Sequence, residues 1–178
     1  MSETLVATAP QDLPREDGME FDQLYRSSRD DVYAYAAGLL RDPAAAEDVT
    51  ATAFERAYRK RSRFDPERGS ARAWLFGIAR NAALDELRRR GKHAALTSEP
   101  ADAESLAAHP AEGAERRLAL AGALRLLAPR ERELVALKFF AGLSNGEIAG
   151  VLGISESNAG TRLHRVLDKL REACDEVA

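Results

Sequence analysis

A single cysteine, Cys174, in 178 residues excludes an internal disulfide framework and fits a reducing, cytoplasmic setting. With no second thiol to pair with, it reads as a passive helix-end residue. No apolar run is long enough to span a bilayer, so no membrane insertion is expected. The N-terminus is acidic and lacks the basic flank and apolar stretch of a signal peptide. β-Branched residues are sparse, while alanine, leucine, arginine and glutamate dominate, a balance that favours helices. There is no internal repeat. Nor is there a nucleophile–base set, a paired-carboxylate motif, a phosphate loop or a metal cluster. His93 and His109 have no second ligand set near them. The expectation is an all-α protein that is not an enzyme and has no catalytic residues, metal or cofactor.

What is present is a hydrophobic content of 45%, enough to bury a core, and a separation of charge. The net charge is −3, yet residues 1–22 hold six acids against Arg15 alone, and residues 97–115 hold five acids and no Lys or Arg. Between them Arg56 to Lys92 is strongly basic. Local field, not total charge, governs contact with phosphates. Periodicity divides the chain in the same way. Residues 1–19 form an acidic, disordered tail, 20–91 a helical domain, 92–113 a flexible acidic linker rich in Pro and small residues, and 114–178 a second helical domain. Helices are expected over Glu20 to Leu40, from the Asp42-Pro43 start to about Arg63, and from Ala71 to about Arg90, stopped by Gly91. In the second domain one helix is expected over Ala114 to Leu127 and another from Pro129, ended by Gly142.

The stretch from Gly142 to Arg171 reads as a helix-turn-helix, which places its second helix in a DNA major groove. Ser144 and Glu147 have the spacing of a capping box, Gly153 suits a left-handed helix end, and Ser155 can cap the next helix. Ala159, Leu163, Val166 and Leu170 share one face of that helix, which leaves Gly160, Thr161, His164 and Arg165 facing outward.

The order of these motifs resembles the extracytoplasmic-function (ECF) sigma factors, the small two-domain sigma subunits of bacterial RNA polymerase. The likeness to their second region is carried by FDQLYRSSRDDVYAYAAGLLRDPAAAEDV, AFERAYRKRSRF and ARAWLFGIARNAALDELRRR. The likeness to their fourth region is carried by LLAPRERELVALKFFAGLSNGEIAGVLGIS and TRLHRVLDKLRE. It implies two helical domains, the first binding and melting the downstream promoter box (the −10 element) and the second binding the upstream box (the −35 element).

The resemblance assigns downstream-box binding to Arg63, Phe64 and Arg68 in the loop after the second helix, and to Arg72, Arg80, Asn81, Arg88 and Arg89 on the third. Rings for stacking beside cations for phosphate are what single-strand binding needs. Trp74 and Phe76 read as core. Upstream-box binding falls to Ser155, Gly160, Thr161, Arg162, His164 and Arg165. Arg165 is the candidate for a bidentate guanine contact, about 1–3 kcal/mol of discrimination, and Arg162 the candidate for phosphate. Docking on core polymerase falls to Glu47, Asp48, Phe54 and Tyr58. The chain departs from the family's pattern in two places. Ala51, Thr52 and Ala53 replace a Gln-Glu-Thr-like run, and Gly160 replaces a common Lys or Arg.

The leading expectation is a promoter-specificity subunit, monomeric when free, that binds core RNA polymerase and promoter DNA and is held off by an anti-sigma protein. The alternative is a decoy that occupies an anti-sigma partner without starting transcription, which only the two departures favour. A stand-alone repressor would leave the first domain unexplained.

Overall fold

The structure is a computed structural model that describes residues 20–97 and 122–175, with side chains for 20–91 and 122–175. The expected tail, most of the expected linker, His109 and the start of the expected 114–127 helix lie outside the described residues. Among the described residues every regular element is helical. The elements are α1 (Phe21–Leu40), α2 (Pro43–Lys60), α3 (Ala71–Thr97), α4 (described over 122–126), α5 (Pro129–Val135, continued by a π-helical turn at Ala136–Phe140), α6 (Asn145–Leu152) and α7 (Glu156–Asp175).

Local chemistry sets most of the boundaries. Asp42 accepts the Ala45 N–H at 3.1 Å and Pro43 takes the first position of α2, where its missing donor costs nothing. At α5 the Glu131 carboxylate accepts the Ala128 N–H at 2.8 Å. Ser144 and Glu147 close a full capping box at the start of α6. Gly153 then ends α6 at φ 68, a left-handed conformation that only glycine adopts without a steric penalty. The expected stop of α3 at Gly91 does not occur, and the helix runs on to Thr97. An isolated glycine lowers helix propensity by only about 1 kcal/mol, and without a left-handed residue the helix continues through it. The α-helical part of α2 is shorter than expected, because Arg61–Arg63 tightens into a 3-10 turn.

Helices α1, α2 and α3 pack around Val32, Tyr35, Ala53, Leu75 and Phe76, with Tyr35 and Phe76 edge to face at 5.6 Å. That core does not close on itself. Leu134, Leu137, Leu143 and Ile148 from the second half belong to the same buried cluster. Helix α5 and its π turn lie on α1, and α6 lies on α3. The approach at α1 is close: a Cβ on Gly38 would stand 3.4 Å from the Phe140 ring. A smaller second cluster of Ala123, Leu127, Val135, Val166 and Leu170 holds α4, α5 and α7 together.

Candidate nucleic-acid interface

The loop between α2 and α3 is built from its own polar side chains. Asp65 accepts the Glu67 N–H at 3.0 Å and starts a 3-10 turn at Pro66–Arg68. Gly69 has φ 148 and ψ 178, a region in effect reserved for glycine. Ser70 then caps α3 by accepting the Ala73 N–H at 3.1 Å. Phe64 is half-buried and leans on Trp74, with ring centroids 5.6 Å apart. Behind this loop lies a groove of about 690 Å³. Lys60, Arg63, Arg68 and Asn81 give it polar walls, and Phe64 and Trp74 an aromatic one. Its far wall is α6, through Gly146, Glu147, Gly150 and Val151. The Ser70 hydroxyl donates to Glu147 across the mouth. That bond, with the Ser144 N–H, holds the Glu147 carboxyl below its ordinary pKa.

Four of the expected downstream-box residues, Arg63, Phe64, Arg68 and Asn81, therefore line one groove. The arginines further along are placed otherwise. Arg72 is turned inward: it donates to Asp31 at 2.6 Å, to Ser28 at 3.3 Å and to the Ala141 carbonyl at 2.6 Å, and stacks over Phe76. Arg80 donates to Glu133 at 2.6 Å. Glu133 is buried beside Tyr35, whose hydroxyl is pushed well above its ordinary pKa by burial and then by the Glu133 charge. Arg88 and Arg89 stay exposed but reach Asp85 and Glu86 on their own helix. The Arg89 hydrogen bond holds the Glu86 carboxyl below the usual range.

The second expected surface is one face of α7. Ser155 caps it by accepting the Asn158 N–H at 3.2 Å, and Ala159, Leu163, Val166 and Leu170 are buried beneath. Thr161, Arg162, His164 and Arg165 stand exposed. Thr161 uses its hydroxyl on the Ser157 carbonyl at 2.9 Å, and His164 Nδ1 lies 3.3 Å from Asp168. Arg162 and Arg165 are in no ion pair among the described residues, so both guanidinium groups are available to a ligand. Gly160 is half-covered, since a Cβ there would meet the Asn145 amide at 3.4 Å.

On α2, Glu47 and Asp48 are exposed in the second turn of the helix. Phe54 is only 6% exposed and lies edge-on to Tyr25 at 4.8 Å and to Phe21 at 6.4 Å. Tyr58, packed on Phe21 at 5.2 Å and covered by the Arg61 guanidinium at 4.1 Å, is 51% exposed and presents the ring that a partner could touch. Of the unusual Ala51–Ala53 run, Ala53 is fully buried, so only Ala51 and Thr52 can alter a docking surface.

Sequence reasoning left out Lys60 and Trp74 as groove-lining residues, although the run Arg59-Lys60-Arg61 already signalled the first. It also missed Glu133 as the partner of Arg80 and Glu147 as the partner of Ser70. They lie 53 and 77 residues from Arg80 and Ser70, and no local pattern links them.

Residues 24–93 match the family described as Sigma-70 region 2, and residues 117–170 match Sigma-70, region 4. The ECF RNA polymerase sigma factor BldN of Streptomyces coelicolor is 34% identical over 154 residues, 84% of this chain and 58% of BldN. The RNA polymerase sigma factor CarQ of Myxococcus xanthus is 35% identical over 158 residues, which cover 88% of this chain and 90% of CarQ. The chain belongs to the ECF RNA polymerase sigma factors. This sigma factor spans little more than half the length of BldN. In three dimensions it is similar to the sigma factor RpoE in its co-crystal with the anti-sigma factor NepR from Bartonella quintana. The TM-score is 0.73 at 25% identity, over 88% of this chain and 97% of that one.

Proposed function

We propose that this sigma factor carries core RNA polymerase to promoters through two separate surfaces. The groove behind the Phe64–Ser70 loop takes the opened downstream box, with Phe64 as the stacking ring and Lys60, Arg63 and Arg68 as phosphate contacts. The exposed face of α7 takes the upstream box, with Arg165 on a base and Arg162 on phosphate. Tyr58, Glu47 and Asp48 dock on the polymerase, and Phe54 holds the aromatic cluster beneath Tyr58. Residues 20–91 and 114–178 carry the two tasks, with 92–113 as the tether. The match to a chain co-crystallised with an anti-sigma factor supports control by an anti-sigma protein, and membership of the RNA polymerase sigma factors supports the cytoplasm as the site of action.

The observation that carries this reading is the pairing, in one small chain, of a capped helix with an open cationic face and an aromatic groove rimmed by cations. Run-off transcription with purified core polymerase over a library of genomic promoters tests it. The expected result is RNA from a defined promoter set only when the chain is added. Binding to an anti-sigma protein with no promoter-dependent RNA would establish the decoy instead.

A further inference from the structure

The outward face of α7 carries one group whose hydrogen-bonding character is decided by its neighbours. His164 is 77% exposed, and its Nδ1 lies 3.3 Å from the Asp168 carboxylate one turn on. Asp168 also accepts from the Arg171 guanidinium at 2.8 Å. A carboxylate beside Arg162, Arg165 and Arg171 would by itself repel a phosphate backbone. Here its charge is directed along the helix, to Arg171 and to the nearer imidazole nitrogen. Among the described residues no acid of α5 or α6 lies within ion-pair distance of His164. Thr161, in the turn before, donates its hydroxyl proton to the Ser157 carbonyl at 2.9 Å. What it keeps for a partner is an oxygen lone pair and a methyl group.

We propose that Asp168 holds neutral His164 in the tautomer with its proton on Nδ1, so that Nε2 meets the major groove as an acceptor and reads an exocyclic amino group of the upstream box, that of adenine or of cytosine. On the reading of α7 as the upstream-box face, on which this rests, His164 becomes a second base-reading residue beside Arg165. A neutral imidazole has one donor and one acceptor nitrogen. A carboxylate favours the proton on the nitrogen it faces, because a lone pair there would be repelled. The tautomer then fixes the class of base. An acceptor at Nε2 matches adenine N6 or cytosine N4, whereas a donor at Nε2 would match guanine or the O4 of thymine. Arg165 offers donors only and suits guanine. Adjacent residues on one helix thus ask for opposite patterns, which sharpens what either could select alone. Asp168 touches no base; it is a positioning residue. Protonation turns both ring nitrogens into donors, so the preference for an amino group is lost in acid. The charged groups that face the ring are Asp168 and, through it, Arg171.

The test uses the full chain. Proton–nitrogen NMR of the imidazole rings at about pH 8 reads the tautomer directly. The chain has three histidines, and the signal missing from His164→Phe belongs to His164. The unsubstituted chain is expected to show Nδ1–H, and Asp168→Ala to move toward Nε2–H. Base reading is measured by fluorescence anisotropy on a duplex that the unsubstituted chain selects from a randomised upstream-box pool. At each position adenine is replaced by purine, or cytosine by pyrimidin-2-one, which deletes the amino group alone. At one position the deletion is expected to weaken the unsubstituted chain about fivefold and to leave His164→Phe unaffected. That penalty is expected to shrink in Asp168→Ala, and in the unsubstituted chain at about pH 5.5. His164→Gln, whose amide oxygen needs no tautomer, is expected to keep the penalty at both pH values. An Nε2–H signal in the unsubstituted chain overturns the proposal. So does a penalty of equal size in His164→Phe, or none at any position. A preferred duplex that needs Arg165 but not His164 overturns this reading alone. A selection that returns no preferred duplex overturns the upstream-box face, and the base contact of His164 with it.

Discussion

Helix α3 and the recognition face of α7 treat their arginines in opposite ways. On α3, Arg72, Arg80, Arg88, Arg89 and Arg90 all have a carboxylate within ion-pair distance. On the recognition face of α7, Arg162 and Arg165 have none among the described residues. A run of basic letters therefore does not measure how much cationic surface is ready to bind. What decides is where the carboxylates of the fold fall, and for α3 they fall one helical turn away, on α1 and at the start of α2, or, for Arg80, on the second half.

The comparison is sharpest in stability. Phe76 is fully buried between Tyr35 and Arg72, within a cluster that includes second-half residues. Phe76→Ala is expected to cost about 3–5 kcal/mol through lost burial and the cavity left behind. Leu163, in the second half, is 6% exposed, and Leu163→Ala is expected to cost about 2–5 kcal/mol. Urea titration followed by helical signal checks both. The shared core predicts that Phe76→Ala lowers the midpoint for both halves together. A biphasic curve in which the α7 signal keeps its original midpoint would show that the halves are energetically independent and break the comparison.

Arg165→Ala tests the open face. Its expected effect is a loss of about 1–3 kcal/mol of preference for the cognate upstream box over a single-base variant, measured by fluorescence anisotropy. Arg162→Ala is expected to weaken cognate and variant DNA alike and to lessen the salt dependence. An equal loss on both sequences for Arg165→Ala would reassign it to phosphate.

How much of this was legible in the sequence follows the range of the interactions. The helix starts at Asp42, Ser70, Ser144 and Ser155 could be read from spacing, because cap and capped N–H lie within three residues. The left-handed Gly153 could be read for the same reason. Gly91 misled, because a glycine ends a helix only when its backbone turns left-handed, and nothing local enforces that here. The groove was half legible. Phe64 and its cations are contiguous, but the α6 wall comes from far along the chain. The pairing of Arg80 with Glu133 was not legible at all, since Glu133 sits in an ordinary amphipathic helix and only packing reveals its target.

Ser144→Ala probes the junction between the halves with a smaller effect. Loss of the helix cap is expected to cost about 1 kcal/mol. Glu147 gives that junction a pH dependence. Its carboxyl pKa is lowered, first by the Ser70 hydroxyl and then by the Ser144 N–H, from an ordinary value of 4.5. A lowered folded-state pKa means a contribution that is complete above 4.5 and is lost as the pH falls through the folded value. The difference in urea midpoint between the unsubstituted chain and Glu147→Gln is therefore expected to be largest at neutral pH and to shrink on acidification. A difference that grows toward acid would mean that Glu147 is not held ionised by Ser70.

The smallest expected effect on folding belongs to Arg88 and Arg89, and it separates surface chemistry from architecture on the first half. Both side chains are more than two-thirds exposed, at 70% and 74%, and their carboxylate partners lie one turn away on the same helix. Exposed pairs of this kind gain little, because water screens the charges and long side chains lose freedom when they hold one geometry. Arg88→Ala with Arg89→Ala is therefore expected to leave the urea midpoint unchanged. The same change removes two cations that a phosphate can reach by displacing Asp85 and Glu86, without opening the junction at Arg80. Binding of downstream-box DNA is then expected to weaken on every sequence alike, with the salt slope reduced by about 1 for each arginine that meets a phosphate. An unchanged salt slope would make Arg88 and Arg89 plain solvated residues and confine the first half's DNA contacts to the loop and groove.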